Sequence, residues 1–77
     1  MISRAAESFW QRYNRLPEPV RKLAEKNFTL WLRNQTHPSL RFKPLKDGFW
    51  SARVGDHYRA VGYFRDGRTF VWIWIGT

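Results

Sequence analysis

The sequence predicts an α+β domain in which an N-terminal helical hairpin packs on one face of a small, mainly three-stranded antiparallel sheet. Apolar residues recur every three or four positions through the N-terminal half, which is the helical period. Three segments rich in aromatic and β-branched residues follow, separated by glycine-containing turns. At 77 residues the chain is predicted to form one domain, residues 1–77. A domain of this size buries only about 60% of the surface that its unfolded form exposes.

Two amphipathic patterns, separated by Leu16-Pro17-Glu18-Pro19, predict the helices. We expect the first helix to begin with Ser3 as its N-cap and to end near Asn14. The second begins at Pro17 or Pro19 and ends before Pro38, because proline disfavours the helical region for the preceding residue. The predicted apolar stripes consist of Ala6, Phe9, Trp10 and Tyr13 in the first helix, and of Val20, Leu23, Ala24, Asn27, Phe28 and Trp31 in the second.

The three predicted strands are Phe49–Val54, Tyr58–Phe64 and residues 69–75. We expect no strand before the first helix, because Met1 and Ile2 leave no room for one. Residues 39–46 form an extended basic segment, in which Pro44 argues against a central strand.

The turns between the strands set their register, and the register decides which side chains share a face. If Gly55-Asp56-His57 forms a three-residue loop, Arg53 lies opposite Arg59. If residues 65–68 form a four-residue loop, Phe64 pairs with Thr69 and Arg59 lies opposite Trp74. The helix-facing side then carries Trp50, Ala52, Val54, Tyr58, Ala60, Gly62, Phe64, Val71, Ile73 and Ile75. The other side carries Phe49, Ser51, Arg53, Arg59, Val61, Tyr63, Phe70, Trp72 and Trp74.

Composition narrows the class of function. A formal net charge of +8 favours a polyanionic partner such as nucleic acid, although an acidic protein would suit the same charge and a merely soluble basic domain is the alternative. Without cysteine, the chain has neither disulfides nor a thiolate metal site. Two separated histidines without clustered carboxylates argue against any metal or cofactor. No apolar run is long enough for a membrane span or a signal peptide, so we expect a cytoplasmic location without membrane association.

The face that carries Arg53 and Arg59 is the candidate site. Two adjacent guanidinium groups would repel each other unless an anion lies between them, and guanidinium binds phosphate oxygens bidentately. Bases would stack on the rings of Tyr63, Trp72 and Trp74. The alternative is that Trp72 and Trp74 pack under the C-terminus or an oligomer interface, with the arginines as cation–π caps. The basic residues that precede the strands, which either extend this RNA-binding track or are simply solvated, are Arg41, Lys43 and Lys46.

The two histidines are weaker candidates. An unperturbed histidine suits general base catalysis near neutral pH, but His57 stands in a predicted turn beside Asp56, which favours a solvated loop residue. His37, before Pro38, is interpreted as structural.

These segments together resemble a known family. The pattern comprises Leu16-Pro17, residues 37–43 (His-Pro-Ser-Leu-Arg-Phe-Lys), residues 50–55 (Trp-Ser-Ala-Arg-Val-Gly), Tyr58-Arg59-Ala60 and residues 72–76 (Trp-Ile-Trp-Ile-Gly). It is similar to the RelE/ParE toxin superfamily, especially its small bacterial members related to the HigB branch. The resemblance implies the toxin of a type II toxin–antitoxin pair, which an acidic antitoxin holds inactive and which, when free, cleaves mRNA on the translating ribosome. The ParE branch instead poisons DNA gyrase.

The resemblance also assigns roles to residues. It implies that Arg59 contacts the scissile phosphate and that Arg53 is the basic residue on the preceding strand, in a metal-independent attack of the ribose 2′-hydroxyl. Ser51 stands where some members have lysine, the usual first strand has no predicted counterpart, and members commonly continue past the position of Thr77 into a tail bearing His, Arg or Tyr. A third hypothesis is therefore a weakly active or inactive module that binds the antitoxin.

Overall fold

The computed structural model describes residues 1–77, with two helices on a five-stranded mixed sheet. The helices are α1, Glu7–Tyr13, and α2, Glu18–Arg33; the strands are β1, Ile2–Ala5, β2, Lys43–Pro44, β3, Phe49–Val54, β4, Tyr58–Phe64, and β5, Thr69–Gly76. The strand order is β1-β5-β4-β3-β2. β1 runs parallel to β5, and the other neighbours are antiparallel. The α+β class is confirmed, whereas the prediction of a mainly three-stranded sheet is wrong.

The first strand is the largest departure from the sequence prediction. Residues that were predicted to lead into a helix instead pair with β5, with Ser3 beside Phe70 and Ala5 beside Trp72. Ser3 is therefore not an N-cap. Its hydroxyl accepts a hydrogen bond from Trp72 Nε1 at 3.1 Å, and α1 begins four residues later, at Glu7. Pairing along the edge of β5 satisfies backbone groups on both strands, and this outweighs the local helical pattern.

The second helix follows the prediction closely. It begins after Pro17, has Glu18 in its first turn and ends at Arg33, whose successor Asn34 accepts from the Thr36 backbone N–H. Trp31 is its buried residue. After the helix, Pro38–Leu40 forms a 3-10 turn, where His37 Nδ1 accepts from the Ser39 N–H. His37 therefore has the structural role predicted for it. Neither α1 nor α2 combines the length and the apolar character needed to cross a bilayer.

The β3–β4 hairpin has the predicted register. Val54 pairs with Tyr58, and Arg53 lies opposite Arg59. Gly55 adopts a φ of 64° in the connecting turn, a left-handed conformation that glycine reaches without steric cost.

The β4–β5 register differs from the prediction. Phe64 pairs with Phe70 rather than Thr69, and a register shift between Val61 and Gly62 places Arg59 opposite Gly76. The turn explains the first difference, because Arg65 donates its backbone N–H to the Thr69 carbonyl. Asp66 closes this turn, because its Oδ1 accepts hydrogen bonds from the backbone N–H groups of Arg68 and Thr69. The hydrogen bond from Arg68 is the main cause of the lowered pKa of Asp66.

This register moves two aromatic rings into the core. Phe70 and Trp72 lie on the helix-facing side, where they were not expected, and Val71 lies opposite Tyr63 on the other side. Trp72 packs against Phe70 and Trp31, with ring centroids 4.6 and 5.2 Å away. An aromatic cluster thus supplies the centre of a small core that has no disulfide to support it.

Candidate nucleic-acid interface

Neither helix crosses one side of the sheet, here called the open face. Its residues follow from the register, because directly opposite residues of neighbouring strands share a face. Three rows cross it: Lys43, Ser51, Val61 and Trp74; Arg53, Arg59 and Gly76; and Phe49, Tyr63, Val71 and Arg4. The open face therefore joins basic side chains from β1, β2, β3 and β4 with aromatic side chains from β3, β4 and β5.

Arg59 is the free cation at the centre of this face. Its side chain is exposed, and its one side-chain hydrogen bond is a long one, from Nη1 to Ser51 Oγ at 3.4 Å. The two ion pairs of the molecule involve other residues. Ser51 is only 2% exposed, so its hydroxyl is held in place beneath the guanidinium. Most of the five guanidinium donors of Arg59 remain available for an anion.

Arg53 lies directly opposite Arg59, yet its head group is already occupied. Nε donates to the Gly55 carbonyl at 2.8 Å, and Nη2 pairs with Asp56 Oδ1 at 2.6 Å. These contacts draw the guanidinium toward the hairpin turn, whereas Arg59 reaches toward Ser51, away from that turn. The predicted adjacency of the two arginines is confirmed, but the carboxylate of Asp56 offsets the charge of Arg53.

Trp72 does not lie on the open face, which corrects its predicted position. It is 7% exposed within the core, and its indole N–H is bonded to Ser3. The alternation of Trp72, Ile73 and Trp74 gives no sign of the register shift that separates the two tryptophans. Tyr63 and Trp74 do lie on the open face, and both are partly exposed. The Tyr63 ring contacts Phe49 edge to face, with 6.3 Å between the ring centroids.

The remaining basic candidates lie at the β2 side of the molecule. Lys43 is exposed on β2 and lies beside Ser51. Lys46 is exposed in the 3-10 turn before β3, and Arg41 is exposed with a φ of 45° after the Pro38–Leu40 turn. None of the three forms an ion pair. The structure thus brings Lys43 close to the Arg59 site, and it leaves Arg41 and Lys46 on the loops that lead into it.

Sequence reasoning missed the contribution of α1. The Arg12 guanidinium carbon lies over the Trp74 ring, 5.4 Å from its centroid. The α1 helix reaches this position because Ser8 Oγ donates to the Ile73 carbonyl, which fixes the helix against β5. The only sequence signal was that Arg12 follows Phe9 by three positions, which places it beside the apolar stripe of the first helix. No group of three or more His, Asp or Glu side chains is arranged to hold a metal ion.

The fold was compared with known proteins. No family model matches the chain, and no curated protein matches its sequence. Solved structures do match. A YoeB/ParE toxin from Agrobacterium tumefaciens is 21% identical with a TM-score of 0.75, covering 97% of this chain and 95% of its own. The toxin–antitoxin complex RelBE2 from Mycobacterium tuberculosis is 23% identical with a TM-score of 0.74, covering 96% and 93%.

A third match is the RelB–RelE antitoxin–toxin complex from Methanococcus jannaschii, 18% identical with a TM-score of 0.75, which covers 95% of this chain and 87% of the matched one. Two of these three matched structures are thus complexes with antitoxins. The agreement extends over nearly the whole chain in all three cases. The protein therefore has the fold of the RelE/ParE toxin superfamily.

Proposed function

We propose that this protein is the toxin of a type II toxin–antitoxin system, and that it acts in the cytoplasm as a metal-independent, ribosome-dependent mRNA endoribonuclease. One observation supports this above the others: Arg59 is an exposed guanidinium without a carboxylate partner, centred on an open sheet face that also carries Tyr63, Trp74 and Lys43. A basic and aromatic surface of this kind suits single-stranded RNA.

The proposed reaction uses the RNA's own nucleophile. The ribose 2′-oxygen attacks the adjacent phosphorus as its proton passes to a base, and the 5′-oxygen leaves after it gains a proton. The products are a 2′,3′-cyclic phosphate and a 5′-hydroxyl. Negative charge gathers on the non-bridging oxygens in the transition state, and a guanidinium positioned there stabilises it. Arg59 has this role, with Ser51 holding its head group, and Arg53 provides a weaker, partly neutralised second charge.

The partners follow from the same surface. The RNA strand lies against Arg59, Lys43 and Tyr63 while the ribosome presents it, and Arg41 and Lys46 extend the positive track. The cognate antitoxin is an acidic, partly disordered segment that covers the open face and gains affinity from charge complementarity and buried aromatic rings.

The decisive experiment induces the wild-type chain and the Arg59→Gln variant in bacterial cells and follows both growth and full-length mRNA. Wild type should stop growth and shorten transcripts, and Arg59→Gln should reduce cleavage by roughly 10²- to 10³-fold, the usual effect of removing one transition-state donor. Arg33→Gln is the control, because Arg33 is also an exposed arginine and lies at the end of α2. Growth arrest with intact transcripts would reject the nuclease.

The Arg53–Asp56 ion pair is the observation that supports two alternative functions, because it leaves one free guanidinium where the nuclease hypothesis expects two. A gyrase-directed toxin would stop growth with intact mRNA and damaged DNA. An inactive module that binds the antitoxin would leave growth normal with or without Arg59, whereas Trp74→Ala would weaken the complex.

A further inference from the structure

A cavity of about 310 Å³ lies at the end of β5, beside the connection from α1 to α2. Its walls include Arg12, Arg15, Tyr58, Trp74 and Gly76. The volume falls at the lower end of the range of about 300–1,000 Å³ that is typical of small-molecule sites. A second, apolar cleft lies between the helices and the sheet, lined by residues that include Phe9, Phe28 and Trp31. The cavity at the end of β5 adjoins this cleft only at Ile75, and the proposed function gives the cavity no role.

Both arginines of this cavity are free to bind an anion. Arg12 and Arg15 are exposed, and neither takes part in an ion pair or a side-chain hydrogen bond. A backbone hydrogen bond from Arg15 N–H to the Arg12 carbonyl, 3.1 Å long, ties the two residues together. Two unpaired cations in one turn beside a cavity are suited to binding an anion.

Trp74 orients the guanidinium group of Arg12. The Arg12 guanidinium lies over the indole, 5.4 Å from the ring centroid. A cation–π contact uses the positive charge of the guanidinium and none of its N–H donors, so these donors stay available to phosphate oxygens. Because Arg12 already covers the ring centre of Trp74, the indole acts here as a platform for the arginine more than as a surface for a base.

Gly76 connects this cavity to Arg59. It lies directly opposite Arg59, one strand spacing or about 4.8 Å away. A Cβ built on Gly76 would approach Trp74 Cζ2 to 2.9 Å, so the edge of the indole lies on the glycine backbone. The indole of Trp74 therefore covers Gly76 and forms the surface between Arg59 and the two arginines of the cavity.

We infer that Arg12 and Arg15 form a second phosphate site, which holds a neighbouring phosphate of the same single-stranded RNA that Arg59 contacts. The inference rests on the proposed function, since it needs RNA at Arg59. The RNA backbone then crosses the strands, from β4 over β5 to the end of α1, and the second site fixes which phosphate reaches Arg59. Arg12, Arg15 and Trp74 are thus positioning residues.

The test measures binding of the full chain to a 2′-O-methylated oligouridylate, which cannot be cleaved, by fluorescence anisotropy across a range of salt concentrations. For single strands, the slope of log affinity against log salt loses about 0.7 for each phosphate contact removed. Arg12→Gln with Arg15→Gln should therefore lower the slope by about 1.4 and weaken binding at 0.1 M salt by about tenfold or more. Lys26→Gln with Arg33→Gln removes the same charge from α2 and should change neither quantity appreciably.

Further variants separate this inference from the proposed function. Trp74→Leu should weaken binding as Arg12→Gln alone does, whereas Trp74→Phe should retain most of the affinity because it keeps an aromatic platform. If the Arg12 and Arg15 double variant matches the α2 control while Arg59→Gln still weakens binding, the second site is rejected and the proposed function stands. If Arg59→Gln binds like wild type, both are rejected. Circular dichroism establishes that each variant is folded.

Discussion

Arg53 and Arg59 show how neighbouring residues decide the role of a side chain. Both lie on the open face, directly opposite each other. Arg53 precedes a turn that offers a carbonyl at Gly55 and a carboxylate at Asp56, and it binds both. Arg59 faces only the Ser51 hydroxyl. The residue without a carboxylate in reach keeps its donors for a ligand, so charge alone does not identify the site.

Gly62 determines the packing of the core at one point. A Cβ there would clash with the Val71 carbonyl oxygen and with the Phe70 ring. We predict that Gly62→Ala destabilises the protein by about 1–3 kcal/mol or more, because the Val71 carbonyl oxygen belongs to the backbone and cannot rotate away. Urea unfolding measures this.

Gly67→Ala is the matched control for that substitution. Gly67 has no atom within 4 Å of a built Cβ, and its φ is not positive. Its replacement should change stability little or raise it by about 0.4–1 kcal/mol, through the lower entropy of the unfolded chain. If both substitutions lowered the free energy of unfolding equally, the cost at Gly62 would not come from the close packing of Phe70 over β4.

Trp72 and Trp74 mark the limit of residue-level prediction from sequence. Both belong to an aromatic, β-branched segment, and strict alternation places them on one face. The register shift at Val61 and Gly62 breaks that alternation. Such a shift depends on how rings pack between strands, which periodicity does not encode. The position of Trp74 on the open face was predicted correctly, and that of Trp72 was not.

Among the elements, the β3–β4 hairpin was predictable and β1 was not. The Gly55-Asp56-His57 turn fixes the hairpin register locally, so the sequence determines that Arg53 and Arg59 are adjacent. β1 has one partner, β5, and the residues that pair are more than sixty positions apart in the chain. Ile2–Ala5 contains too little β-branched or aromatic character to predict a strand without knowledge of that partner.

The side-chain hydrogen bond between Ser3 and Trp72 connects β1 to β5, and its contribution to stability can be measured. Ser3→Ala removes the acceptor of the buried Trp72 Nε1–H, which should cost about 1–3 kcal/mol of unfolding free energy. In a Trp72→Phe background the donor is absent, so the same substitution should cost much less. Urea unfolding of the four proteins in this double-mutant cycle gives the coupling energy. Additive losses would show that the side-chain bond does not hold β1 to the sheet.

The α1 and α2 helices meet at a contact that was also not predicted. The Tyr13 hydroxyl donates to Glu25 Oε1 at 3.3 Å. Burial, followed by the Glu25 charge, raises the pKa of Tyr13. The helical hairpin itself was predictable from Leu16-Pro17-Glu18-Pro19, but this contact depends on the rotation of each helix about its axis.

At the scale of the whole molecule, a formal charge of +8 on 77 residues has opposite effects on folding and on binding. Salt screens the repulsion among like charges in the folded chain, and it equally screens attraction to a polyanion. We predict that raising salt from about 20 to 200 mM increases the free energy of unfolding by less than about 1 kcal/mol, the scale of exposed charge interactions. Over the same range, we predict that the affinity for the proposed ligands, RNA and an acidic antitoxin, falls.

Urea unfolding and anisotropy on the same samples measure both trends. The double variant Lys26→Gln with Arg33→Gln should reduce the salt dependence of the free energy of unfolding. It should leave the salt dependence of RNA affinity unchanged, because both residues lie on α2, away from the open face. If the free energy of unfolding and the affinity changed in the same direction with salt, the net charge would not have opposite effects on folding and on binding.

The position of β5 between β1 and β4 sets the order in which a nascent chain acquires its structure. β1 emerges first but hydrogen-bonds to no strand other than β5, which is translated last of all the elements. Contacts of such high sequence separation form slowly. Trp74 and Gly76 both belong to β5, so a polypeptide without this strand lacks both the closed sheet and part of the open face. A chain with this topology cannot close its sheet until β5 has been synthesised.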